Sequence, residues 1–102
     1  MVLPLIAILL GLAATAAVIY LICLFWDNIV EWFRNRNNIK NSSRDNIAFT
    51  LQQKLDNGNY KTVQGIFNQN THEMVDKQVI EHEQMDNQLA QTHRGQELVV
   101  YQ

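Results

Sequence analysis

The sequence predicts an α+β chain, with a single transmembrane helix at the amino end followed by a small β-β-β-α-β soluble domain. Three features predict it. Residues Val2 to Trp26 carry no Asp, Glu, Lys, Arg or His. The pair Asn57-Gly58 separates two runs that bear apolar residues in strand-like alternation. A helical pattern that starts at His82 then gives way to the β-prone run Glu97-Leu98-Val99-Val100-Tyr101-Gln102.

The apolar run defines the first unit, residues 1–26. A helix of about 25 residues at about 1.5 Å each reaches roughly 37 Å, against a hydrocarbon core of about 30 Å. Its Leu, Ile, Val and Phe residues favour insertion by roughly 4–8 kcal/mol. Pro4 lies where a first helical turn tolerates a missing N–H. Ala13, Ala14, Ala16 and Ala17 are small residues of the kind a signal peptidase reads, so a secreted domain after cleavage is the alternative. No Lys or Arg precedes the run and apolar sequence continues past the alanines, so a retained anchor is expected. Ala7, Gly11 and Thr15 recur at spacing four, a small-residue face suited to helix packing in the membrane with self or another membrane protein.

Residues 27–44 read as a juxtamembrane amphipathic segment and a flexible tether. Trp26, Ile29, Val30 and Phe33 share a helical face, and Trp26, Trp32, Phe33, Arg34 and Arg36 are expected at the membrane interface, against the lipid bilayer. Arg34, Arg36, Lys40 and Arg44 follow the span and no basic residue precedes it. That asymmetry orients the amino terminus outside and the C-terminal domain in the cytoplasm. From Asn35 to Arg44 the one aliphatic residue is Ile39, too little apolar surface to fold.

Residues 45–102 read as the small cytoplasmic α+β domain. Ile47, Phe49 and Leu51 alternate as in a strand, and Asn57-Gly58 suits a two-residue type I′ turn. Such a turn sets Leu55 opposite Tyr60 and Phe49 opposite Ile66. Met74, Val75, Val79 and Ile80 suggest a third strand, interrupted at Asp76-Lys77-Gln78. A helix is expected from His82 to His93, with Gly95 at its C′ position, and the final run returns as a strand. Gly65, inside the second strand, marks a bulge or a close backbone contact.

Composition narrows the chemistry. The chain has 102 residues and a net charge of −2, and its basic residues concentrate just after the apolar run. The acidic remainder is a poor match for nucleic acid. A single cysteine cannot form an intramolecular disulfide, and the sequon Asn41-Ser42-Ser43 is inert on a cytoplasmic face. His82 and Asp86 sit at spacing four, half of a zinc-helix pattern, but the second histidine and third ligand are missing. No cofactor, metal site or catalytic set is expected. The functional expectation is a membrane-anchored, non-enzymatic binding or adaptor protein, or a small accessory subunit of a membrane complex. The alternative is a membrane-active small protein, toxin-like or a channel element, acting through its span.

Overall fold

The computed structural model describes residues 5–101. The readings placed on Val2, Pro4 and Gln102 lie outside the described residues. The elements are α1 (Leu5–Ala13), β1 (Val18–Leu24), α2 (Trp26–Asn35), α3 (Asn37–Asn41), β2 (Asn46–Lys54), β3 (Tyr60–Asn68), β4 (Glu73–Met85), α4 (Asn87–Thr92) and β5 (Leu98–Tyr101). The strands form one sheet in the order β1-β4-β3-β2-β5. β1 runs parallel to β4, and every other pairing is antiparallel.

The apolar run does not form one helix, which corrects the expected transmembrane span. α1 has nine residues, about 14 Å of helix against a hydrocarbon core of about 30 Å. Among the described residues no helix is long and apolar enough to cross a membrane. The single-pass placement, amino terminus outside and C-terminal domain cytoplasmic, falls with the span that supported it. The physical reason is that hydropathy records avoidance of water without saying which apolar surroundings receive the segment. The first half of the run packs as a core helix. The second half, Val-Ile-Tyr-Leu-Ile-Cys-Leu, is rich in β-branched and aromatic side chains that suit a pleated surface. It pairs along β4, from Val18 opposite Val79 to Leu24 opposite Met85.

The sheet is covered on both faces. On one, α1 sets fully buried Leu9 and Ala13 against Phe49, Leu51, Val63, Phe67 and Val79. Burial of a side chain such as Leu9 contributes about 1.5–3 kcal/mol. The Lys77 ammonium donates to the Leu12 carbonyl at 3.0 Å, satisfying an orphan acceptor at the negative end of α1. On the other face, Ile29 of α2 and Leu89 of α4 close over Leu24 and Ile80.

The hairpin forms around Gly58, but its register corrects the expected one. Lys54 lies opposite Tyr60 and Phe49 opposite Gly65, one residue away from the two-residue-turn pairing. The loop is wider, closed by Leu55 N–H donating to the Asn59 carbonyl at 2.8 Å, with Gly58 at φ 89°. A one-residue slip exchanges faces. The observed register gathers Ile47, Phe49 and Leu51 with Phe67, Gly65 and Val63 under α1, whereas the expected one would have mixed apolar and amide side chains. Gly65 makes room for the Phe49 ring: a Cβ there would lie 3.0 Å from that ring and 2.9 Å from the Asp76 carbonyl oxygen. The ladder to β4 shifts register immediately after, between Ile66 and Phe67.

β4 is one strand of 13 residues, so the expected break at Asp76-Lys77-Gln78 is absent and the helix expected from His82 shrinks to α4. β5 pairs antiparallel with β2, from Ala48 opposite Tyr101 to Leu51 opposite Leu98, and forms an edge of the sheet.

Candidate functional site

Alternate positions of the three central strands place Thr50, Thr62, Gln64 and His82 on the face beneath α2 and α4. All four are fully buried, and His93 beyond α4 is nearly so. Burying such groups costs several kcal/mol unless each finds a partner. Here each does. The His82 Nδ1 lies 3.0 Å from the Gln84 carbonyl oxygen, which only accepts, so Nδ1 carries the proton and Nε2 accepts from the Thr62 hydroxyl at 2.7 Å. His93 repeats the pattern: Nδ1 donates to the Gln96 carbonyl at 3.2 Å and Nε2 accepts from the Thr50 hydroxyl at 2.6 Å. Thr50 has then spent its proton, so the Tyr101 hydroxyl donates to it, also at 2.6 Å. The Gln64 amide donates to the Ile29 carbonyl at 2.8 Å and its oxygen accepts from Gln78 at 2.6 Å, tying α2 to the sheet.

Desolvation pushes both imidazoles below the ordinary histidine value of 6.5, with the backbone carbonyls of Gln84 and Gln96 pulling the other way. Burial likewise raises the Tyr101 hydroxyl. The Thr50 and Thr62 hydroxyls sit beside imidazole nitrogens, as a nucleophile and base would. Both threonines are fully buried.

Above this polar floor a cleft opens between the helices and the β5 edge, with a volume of about 230 Å³. α2 contributes Trp26, Ile29, Val30 and Phe33 to its wall, α3 contributes Asn37 and Lys40, and the sheet contributes Ala48 and Tyr101. The Tyr101 ring packs against two of the three aromatic side chains of α2, 5.9 Å from Trp26 and 5.5 Å from Phe33, tilted to each. Its hydroxyl is turned inward to Thr50. The cleft therefore offers aromatic faces and one amine.

The expected interface residues divide between three tasks. Trp26 and Phe33 wall the cleft. Trp32, off the apolar stripe in sequence, is 8% exposed and lies under the Arg36 guanidinium at 4.0 Å. Arg36 forms an ion pair with Asp76 at 2.6 Å and donates to the Trp32 carbonyl. Arg34 is exposed. Where a tether was expected, α3 forms, and its Ile39 carbonyl accepts from the Asn46 amide at 3.0 Å. The small-residue set does not line a helix partner in the described residues: Ala7 and Gly11 lie on the outward side of α1, and Thr15 in the turn after it. His82 and Asp86 do not share a helix face, because His82 belongs to β4 and Asp86 is the N-cap of α4. Among the described residues no group of His, Cys, Asp and Glu is placed to hold a metal ion.

Sequence reasoning missed the buried polar layer and the role of Tyr101. A signal was present: the alternate positions on this face from Asn46 to Gln52 and from Tyr60 to Asn68 include no charged residue. A solvated sheet face carries Lys and Glu at such positions. No family model, curated protein or solved structure matches the chain.

Proposed function

We propose that the protein is a non-enzymatic binding module that receives an extended segment of another protein along β5, with one apolar side chain of that segment seated in the aromatic cleft. The observation that carries this reading is the position of Tyr101, which belongs at once to an edge strand and to the cleft wall. An edge strand supplies main-chain hydrogen bonds to an added strand, and a neighbouring pocket selects among its side chains. Scale favours a side chain over a free ligand. At about 230 Å³ the cleft falls below the roughly 300–1,000 Å³ usual for small-molecule sites. Lys40 at its wall adds a preference for acidic neighbours in the bound segment.

The test starts from peptides selected against the full chain from a random displayed library, then titrated by calorimetry and amide NMR. Bound peptides are expected to shift the amides of Leu98–Tyr101 and of the α2 cleft face. Val30→Glu, which puts a carboxylate into the cleft wall, weakens binding at least about tenfold, equivalent to about 1.4 kcal/mol. Peptides that bind Val30→Glu as tightly, or shift only distant amides, would remove the cleft from the account.

A further inference from the structure

At the other end of the sheet, β1 hydrogen-bonds to β4 on one side only. Its second row of N–H and C=O groups is therefore unpaired among the described residues. Edge strands are usually protected by Lys, Pro, a bulge or brevity. β1 has none of these: it is seven residues long, uncharged and regular. β5, the opposite edge, is only four residues long.

The side chains along β1 are as open as its backbone. Val18 is 57% exposed, Ile19 47%, Tyr20 53% and Ile22 69%, and Phe25 just beyond is 52% exposed. They lie on both faces of the strand, Val18, Tyr20 and Ile22 on one and Ile19 on the other. Two copies meeting there would exchange main-chain hydrogen bonds along the open row and bring the flanks of these side chains into contact.

We infer that two copies of this chain associate through β1, edge to edge and antiparallel, joining two five-stranded sheets into one. A two-fold contact requires a surface that complements itself. An uncharged strand does so, because every side chain in Val18–Leu24 meets an uncharged side chain on the opposing copy, and no like charges are brought together. The acids nearest on β4 are already engaged. The Tyr20 hydroxyl donates to the Glu83 carboxylate, and the Asn59 amide donates to Glu81 at 2.8 Å. This pairing lies across the sheet from β5 and the cleft, so it stands or falls separately from the peptide reading.

Sedimentation velocity of the full chain between about 5 and 200 μM tests the inference. A dimer is expected, with Ile22→Lys and Ile19→Lys, one on each face of the strand, each raising its dissociation constant at least tenfold. Val75→Lys, an equally charged change at an exposed site on β4 away from this edge, leaves the dimer intact. Isotope-filtered NMR on a mixture of labelled and unlabelled chains provides a reading that needs no variant: intermolecular contacts fall within Val18–Phe25. A monomer throughout the range overturns the inference, whether or not that monomer floats with phosphatidylcholine vesicles. So does a dimer that survives both β1 lysines, or one that Val75→Lys abolishes.

Discussion

Two buried imidazoles, His82 and His93, each satisfy a hydroxyl on one nitrogen and a backbone carbonyl on the other. Protonation would leave Thr62 or Thr50 facing a donor where it needs an acceptor, in a site closed to water. Their folded-state values accordingly lie below the ordinary 6.5. In the interval between the lowered folded value and 6.5 the unfolded chain binds more protons than the fold does, so stability rises with pH there. The contribution is complete above the unfolded value and is lost as pH falls beneath it. Thermal melts are expected to show a falling midpoint between about pH 7 and about pH 5, before most carboxylates titrate. A His93→Gln variant should have a shallower profile over the same window, and identical slopes for the two proteins would remove His93 from the explanation. This layer was only partly legible. Thr50, Thr62 and Gln64 at alternate strand positions announce a covered face, but the histidines that complete it come from distant segments that read locally as helix.

Asp86 carries more at the scale of elements than its position suggests. One carboxylate oxygen accepts from Leu89 N–H at 3.0 Å, capping α4, and the other accepts from Trp26 N–H at 3.0 Å, at the first turn of α2. One side chain thus satisfies orphan donors of two helices and fixes the cleft-bearing helix against the end of β4. Asp86→Ala is expected to lower stability by about 1–3 kcal/mol, read from the urea midpoint, with Asp86→Asn recovering part of the loss. Equal losses in the two variants would mean that capping is not what Asp86 contributes. The elements themselves were unevenly readable. Alternation identified β2, and Asn57-Gly58 located the hairpin, because both are local signals. The register was not local: it follows from Phe49 needing the space above Gly65. The length of β4 was hidden for a similar reason. His82 to Met85 has helix-compatible spacing, and it remains a strand because Thr62 of β3 and Leu21 and Cys23 of β1 flank it.

Over the whole molecule, the fold turns on where the amino-terminal apolar run goes. It supplies the helix that covers one sheet face and the strand that extends β4, so the five-stranded sheet incorporates residues that sequence alone assigned to lipid. Charge-free length was the wrong discriminator. The more informative feature was the change within the run, from the Leu- and Ala-rich stretch before residue 17 to the β-branched and aromatic stretch after it. The same placement opens an unprotected edge on one side of the sheet and, through α2, builds the cleft on the other.

Cys23, the chain's single cysteine, sits opposite Gln84 across the parallel β1–β4 pair. Neighbouring strands lie about 4.8 Å apart, inside the Cα range of about 4.4–6.8 Å that a disulfide spans. The most direct measurement is therefore oxidation of a Gln84→Cys variant, followed by peptide mass mapping of the monomeric band. The fold predicts a disulfide within one chain joining residues 23 and 84, and none when the second cysteine is placed at the exposed Gln88 of α4 instead. Failure of residue 84 to cross-link, or equal cross-linking from residue 88, would contradict the pairing of β1 with β4 and the architecture built on it.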